Sequence, residues 1–296
     1  MRGCSHVEPY RVRVPRSSPV LLVLVGIASV QLGAGVAKSL FDDATPTVIV
    51  WLRLVTSALV LVVATRPVWR GRSRRDWLVV VAYGASLGLM NISIYQSFAR
   101  IPLGLAVTIE FVGPLALAVA GSRRPRDLAW VGLAGLGVVL LGFERTDLDP
   151  VGVGFALLAG ASWAAYILLS GETGRRWEGL DGLATASVVA TLGVTPVLLL
   201  DGTDGLGSWH VVALGAAVGL LSSVVPYSCE LIALRSLPAS VFGILMSLEP
   251  AAAALAALLV LGEVLTLPQW LAVGCVVAAS VGATRGTGTV GQPVPD

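Results

Sequence analysis

The chain has 296 residues, of which 55% are hydrophobic and only 13% charged, for a net charge of +2. A soluble domain carries about a quarter charged residues, and the mean hydropathy here is +0.84. This composition excludes an ordinary soluble globule and predicts a polytopic, all-α membrane protein. A membrane barrel would need short alternating segments, which the sequence lacks.

A membrane span needs roughly 20 mostly apolar residues. Ten stretches qualify or nearly so: 19–40, 46–65, 77–99, 101–122, 127–143, 150–171, 182–200, 209–231, 237–262 and 265–284. In the first, Gln31 and Lys38 share a helical face. Arg53 lies a third of the way into the second. The third places Asn91 and Tyr95 one turn apart, with Gln96 and Ser97 beside them. The fourth holds Glu110 and Pro114 and, over Ile101–Ser122, no other charge. The fifth is short and punctuated by Gly132, Gly135 and Gly137, small residues that let helices approach closely. Trp163 and Tyr166 in the sixth and Tyr227 in the eighth are candidate cavity walls. Glu230 ends the eighth near Arg235. The ninth places Glu249 before Pro250, with no second charge over Ser236–Gly262, and Glu263 is expected to cap its end.

Arginines cluster in alternate connections: Arg66, Arg70, Arg72, Arg74 and Arg75 after span two, Arg123, Arg124 and Arg126 after span four, Arg175 and Arg176 after span six, then Arg235 and Arg285. The positive-inside rule therefore predicts cytoplasmic termini, and an even span count agrees. Trp69, Trp77, Trp130 and Trp177 then fall at inner boundaries, and Trp51, Trp209 and Trp270 near outer ones. Nothing at the N-terminus reads as a cleavable signal. Cys4, Cys229 and Cys275 show no pairing or metal spacing, so no cofactor or metal is expected.

The chain divides near Asp147–Val151, with five spans on either side. Arg100-Ile101-Pro102 echoes Arg235-Ser236-Leu237-Pro238, and twelve residues after each of those prolines comes another, Pro114 and Pro250. A five-span unit reverses orientation when copied in tandem, so the halves are expected to be inverted repeats, 19–146 and 147–285. Sites in such folds lie at the repeat interface near mid-membrane. Segments 1–18, basic, and 286–296 are expected to be disordered.

Charge at membrane depth is costly and marks a water-lined path or a partner. Glu110 and Glu249 are the sharpest candidates, as exchangers of protons or holders of an ammonium; the alternative is a structural pair with Arg53, Lys38 or a hydroxyl. Arg53, a planar fork matched to carboxylates, needs an anion unless it snorkels to the surface. Proline cannot bond the carbonyl four residues earlier, so Pro114, Pro226 and Pro250 free the carbonyls of Glu110, Ser222 and Met246. Those groups either line a hydrated kink or are satisfied by neighbouring helices. No phosphate loop, Ser–His–Asp set or metal motif is present, which weighs against an enzyme or a nucleic-acid-binding protein.

The stretch from Arg100 to Pro114, RIPLGLAVTIEFVGP, resembles the fourth-span signature of bacterial threonine/homoserine exporters, as does Asn91–Phe98, NISIYQSF, before it. In the second half, Pro226–Leu231 and Phe242–Pro250 resemble the same group. Leu261-Gly262-Glu263 with Gln269-Trp270-Leu271 is similar to the EamA-type pattern of the drug/metabolite transporter superfamily. The resemblance covers residues 19–284. It implies two EamA repeats, alternating access and a multi-pass protein of the cytoplasmic membrane that exports small neutral amino acids. On the reading of the residues themselves, a zwitterionic substrate is expected to meet Arg53 at its carboxylate and Glu110 or Glu249, with the freed carbonyls, at its ammonium. Tyr95, Asn91 and Tyr227 would sense the side-chain hydroxyl. Proton coupling and downhill movement both remain open. A broader metabolite or cationic-drug exporter is the alternative; a membrane-embedded enzyme or assembly factor is a remote one.

Overall fold

Residue 46 is a proline that opens a helix, and the helix it opens shows how this chain builds its elements. Thr45 sits in extended backbone and its hydroxyl accepts from the Val48 amide. Proline in the first turn loses no intrahelical bond. An apolar run then extends to Thr65, where Arg66 takes a left-handed conformation as the cap. The same logic recurs at the start of the helix Pro150–Gly174: Asp149 accepts from the Val151 amide and Pro150 follows.

A computed structural model describes residues 19–120, 127–142, 148–234, 237 and 239–286. Among them all regular structure is helical. The helices are α1 Pro19–Ser39, α2 Pro46–Thr65, α3 Arg74–Phe98, α4 Leu103–Glu110, α5 Val112–Ala120, α6 Asp127–Gly142 and α7 Pro150–Gly174. They continue with α8 Asp181–Asp201, α9 Trp209–Gly219, α10 Val225–Leu234, α11 Ala239–Met246, α12 Glu249–Ala256 and α13 Leu267–Gly286. Two π-helical stretches, Leu220–Val224 and Ala257–Leu261, follow α9 and α12. The expected disordered segments lie outside the described residues, apart from Gly286 at the end of α13.

Among the described residues, six helical stretches are long and apolar enough to cross a membrane: α1, α2, α3, α7, α8 and Val241–Leu261. Shorter apolar helices, Leu103–Leu117, Trp209–Val224 and Leu267–Ala283, coincide with three more expected spans. α6 occupies the fifth. The protein is therefore a multi-pass helical membrane protein. Leucines and valines cover much of its exposed surface, as on Leu59, Val63, Leu192 and Leu200. A lipid-facing surface has no reason to bury them.

The long helix α3 packs against α7 and α8, α2 against α8 and α9, and α1 against α10 and α12. α4 packs against α12 and α7, α5 against α7, and α6 against α13. Small residues set the closest crossings. A Cβ on Gly113 would lie 1.9 Å from the Gly160 carbonyl oxygen, so α5 and α7 touch backbone to backbone. A Cβ on Gly104 would lie 2.8 Å from Ala254 Cα, at the α4–α12 crossing. The expected glycine contacts of the fifth span need correction. Among the described residues, a Cβ on Gly137 would abut Ala272 and Cys275 on α13, while one on Gly132 or Gly135 would meet nothing within 4 Å.

Each end of the bundle has its own polar ties. Where α1 finishes, Lys38 Nζ pairs with Glu263 at 2.6 Å and donates to the Ile101 carbonyl at 2.9 Å. The other Glu263 oxygen accepts from the Leu103 amide at 2.9 Å. Glu263 thus caps the start of α4 rather than the end of span nine, because the first amides of a helix have no internal acceptor. At the opposite end, between α2 and α3, Arg176 donates to Glu172 at 2.7 Å and to Asp76 at 3.2 Å. There Arg72 lies over the Trp177 ring at 4.5 Å.

Candidate functional site

The fourth and ninth spans each break at a glutamate. α4 ends on Glu110 and α5 begins at Val112; α11 ends at Met246 and α12 begins on Glu249. Proline explains both breaks, since Pro114 cannot donate to Glu110 and Pro250 cannot donate to Met246. The freed Glu110 carbonyl lies against Gly160, where a Cβ would come within 2.5 Å of its oxygen. That kink is accommodated by helix packing, which is the packing alternative of the sequence reading. Both carboxylates are buried, Glu110 at 8% and Glu249 at 7% exposure.

Pro226 has a different consequence. The carbonyl it frees, that of Ser222, accepts from Arg53 Nη2 at 3.3 Å. Arg53 Nη1 reaches the Tyr95 hydroxyl at 3.5 Å, and the guanidinium carbon lies 5.7 Å from the Tyr95 ring centre. Tyr95 itself is wholly buried, stacked between Phe41 and Phe98. It stands behind Arg53 as a support. The arginine does not snorkel to the surface; it is held inward by a π-helical carbonyl and a phenol. Among the described residues no carboxylate approaches it within ion-pair distance.

These groups surround one cavity of about 420 Å³ between the two halves of the chain. Gln31, Arg53, Asn91, Ser222, Glu110 and Glu249 supply its polar lining, from seven separate stretches of helix when Ser280 on α13 is added. Met90, Phe98, Phe111, Trp163, Phe242 and Met246 supply apolar wall. Phe111 and Trp163 meet edge to face at 5.5 Å. The lining includes Leu115, Ile167, Phe242 and Ala283, so the cavity runs from mid-height toward the end where α2 joins α3. At the other end the Lys38–Glu263 clamp ties α1, α4 and the segment after Leu261 together.

Of the six residues singled out from sequence, four therefore line one cavity: Arg53, Asn91, Glu110 and Glu249. Tyr95 lies behind them. Tyr227 belongs to α10, and its side chain lies outside the described residues. So do those of Glu230 and Arg235. Lys38 is no partner for the buried glutamates, since its ion pair is with Glu263. Gln31 and Ser222 also line the cavity, beyond the six residues that the sequence singles out. Gln31 had been grouped only with Lys38, and Ser222 only through its carbonyl. The available signal was a polar side chain inside an apolar span.

A helical membrane bundle enclosing a charged mid-height cavity, with helices interrupted at that depth, has the form of a secondary transporter. Comparison with known proteins narrows the class. Residues 150–285 match the model of the EamA-like transporter family. The threonine/homoserine exporter RhtA of Escherichia coli strain K12 is 44% identical over 276 residues, covering 92% of this chain and 93% of that protein. RhtA of Salmonella typhimurium strain LT2 is 42% identical over the same shares. An uncharacterised transporter of Bacillus subtilis strain 168, YwfM, is 25% identical over 78% of this chain and 82% of its own length. A solved crystal structure at 19% identity has the same fold, with a TM-score of 0.63 over 91% of this chain and 97% of that one. The chain belongs to the EamA-like transporter family, in the subgroup typified by threonine/homoserine exporters.

Proposed function

We propose that this protein exports small neutral amino acids, threonine and homoserine foremost, across the cytoplasmic membrane by alternating access. The observation that carries this reading is the convergence of Arg53, Glu110 and Glu249 on one cavity in a chain 44% identical to a named threonine/homoserine exporter. A zwitterion offers one carboxylate and one ammonium. Arg53 keeps a donor for the first, and the buried carboxylates are suited to the second or to carrying a proton.

The architecture we infer is ten spans in two inverted repeats, 19–146 and 147–285, with both termini cytoplasmic. The packing pattern supports it. Number the spans so that α4–α5 is the fourth, α9–α10 the eighth and α11–α12 the ninth. Exchanging each span of one half for its counterpart then turns the α3–α7 contact into α10–α1, and α3–α8 into α9–α2. The same exchange turns α4–α7 into α12–α1, and leaves α2–α8, α4–α12 and α6–α13 as they are. With arginine-rich connections inside, the cavity extends toward the cytoplasm and the Lys38–Glu263 clamp closes the outer end. This is the loading state of an exporter.

Reconstituted protein tests the reading. Vesicles loaded with labelled threonine should release it through wild type, and Glu110→Gln and Glu249→Gln should each slow release by roughly tenfold or more, given that buried charges in spans serve such pathways. Equal release from all three would remove both carboxylates from the mechanism. A broader metabolite or cationic-drug range is favoured by one observation. A volume of about 420 Å³ falls in the range of pockets for drug-sized ligands. Competition of threonine efflux by cationic dyes, without competition by homoserine, would establish that second reading instead.

A further inference from the structure

Four residues of the cavity each keep one buried polar atom without a partner among the described residues: Gln31 Oε1, Arg53 Nε, Asn91 Oδ1 and Ser222 Oγ. They come from four different elements, α1, α2, α3 and the Leu220–Val224 stretch. Orphan groups are rare in native structures, and each one calls for a reason. Here four of the orphans fall around one cavity.

Their chemistry is not interchangeable. The Asn91 amide nitrogen donates to the Leu87 carbonyl at 2.8 Å. That bond fixes which way the amide faces and leaves Oδ1 as an acceptor only. Asn91 is 2% exposed and Gln31 3%, so water from bulk does not compete at either oxygen. Gln31 is held in register with the Ser222 stretch. The Ser29 hydroxyl donates to the Leu221 carbonyl at 2.7 Å, two residues from Gln31, and a Cβ on Gly33 would overlap the Ser222 hydroxyl at 2.4 Å. Arg53, anchored by the Ser222 carbonyl, presents the one unambiguous donor of the set.

We propose that Gln31 and Asn91 form an acceptor pair that recognises the side-chain hydroxyl of the substrate, with Ser222 bridging them to the Arg53 carboxylate site. The inference rests on the amino-acid export reading and specifies how that site selects its cargo. Threonine and homoserine carry a hydroxyl proton to give. Valine, which has threonine's shape with a methyl group in place of the hydroxyl, has none and leaves both acceptors buried and unpaired. A site built to bond a substrate hydroxyl rejects the analogue that lacks it far more strongly than an apolar pocket distinguishes one methyl group. Of the three hydroxyl sensors expected, Asn91 lines the cavity, the side chain of Tyr227 lies outside the described residues, and Tyr95 has its phenol engaged with Arg53 and lies behind the lining. Gln31 takes that place.

The test uses full-length protein in vesicles loaded with labelled threonine, with unlabelled threonine, homoserine or valine as competitor. Gln31→Met and Asn91→Leu keep size and remove the acceptor. In wild type, valine should compete at least about tenfold more weakly than threonine. In either variant the threonine-to-valine ratio should collapse toward one, through weaker threonine competition, while valine competition holds or strengthens. Each variant alone is sufficient, so failure of one to fold leaves the other as the test. Retention of the wild-type ratio in a folded variant overturns the proposal, as does equal weakening of both competitors, which marks a merely structural role. Absence of any threonine efflux from wild type would instead overturn the export reading on which this rests. Wild type that carries threonine and valine equally well defeats the acceptor pair and leaves amino-acid export standing.

Discussion

At the end of the bundle where α2 meets α3, Arg176 is paired with two carboxylates. It donates to Glu172 at 2.7 Å and to Asp76 at 3.2 Å, and Asp76 in turn closes a capping box with Ser73 at the start of α3. The Glu172 hydrogen bond, followed by that to Asp76, raises the Arg176 guanidinium still further above its ordinary value. At mid-height Arg53 meets only a carbonyl at 3.3 Å and a phenol at 3.5 Å, and keeps Nε unpartnered. The carboxylates nearby in the cavity, Glu110 and Glu249, form no ion pair with it within contact distance among the described residues. The same side chain is thus a fastener at the end of the molecule and a candidate binding group at its centre. An arginine at this depth held without a contact ion pair is costly, and a transport site is a physical reason to keep it so.

The comparison breaks if Arg53 can be lost without consequence. Arg53→Gln should abolish threonine efflux, on the order of 100-fold or more, because truncating one partner of a desolvated charge interaction is among the costliest changes. Arg53→Lys should not restore it, since an ammonium cannot hold the Ser222 carbonyl, the Tyr95 hydroxyl and a carboxylate in one plane. Thermal unfolding of the purified variants separates this outcome from misfolding. Efflux near wild-type levels in Arg53→Gln would mean that Arg53 is a second fastener.

Much of this arrangement was legible in the sequence because membranes punish exceptions. Arg53, Glu110 and Glu249 stand out for being ionisable inside apolar runs, and all three reach the cavity. The proline rule correctly singled out the Ser222 carbonyl, although which group would accept or donate to it depended on packing between α2 and the π-helical stretch. The breaks after Glu110 and before Glu249 were foreseeable as kinks but not as interruptions. What the sequence concealed was mostly pairing between distant segments. Lys38 and Glu263 are separated by more than 200 residues of chain, and each looked like a separate feature of its own helix. The glycines misled for a related reason. Spacing cannot distinguish Gly137, which abuts Ala272, from Gly132 and Gly135, which abut nothing among the described residues. Gln31 was passed over because an amide in a span reads equally as a helix-to-helix bond, and only the cavity lining decides.

The clamp at the α1 end lies between the two extremes. Lys38 and Glu263 are partly buried, with side-chain exposures of 18% and 21%, and Glu263 also caps α4. In the inferred cycle this contact holds the outer end closed and must open once per turn. Lys38→Ala should therefore alter the rate of efflux by roughly 3–10-fold, with little change in the affinity for threonine, since gating contacts are drawn from elements of modest stability. The exchange Lys38→Glu with Glu263→Lys should recover only part of that change. It restores the ion pair but replaces the carboxylate that caps the Leu103 amide with an ammonium. Full recovery would show that the cap is dispensable, and a changed affinity would place Lys38 in the binding site.

Arg176→Ala gives the smallest expected effect and sharpens the contrast most. Its pair with Asp76 is partly buried, with side-chain exposures of 20% and 19%, but it lies at the end of the bundle and outside the cavity lining. Its loss leaves Asp76 still capping α3 through Ser73 and leaves Arg72 against Trp177. Efflux by this variant should stay within about twofold of wild type, because it removes an end-of-bundle ion pair of modest worth and no residue of the cavity lining. Both arginines lie within a few turns of a carboxylate, so proximity alone predicts equal effects from their removal. An effect of Arg176→Ala as large as that of Arg53→Gln would show that the paired cluster moves in the cycle. The distinction between fastener and binding group would then have to be redrawn around motion rather than around unmet hydrogen bonds.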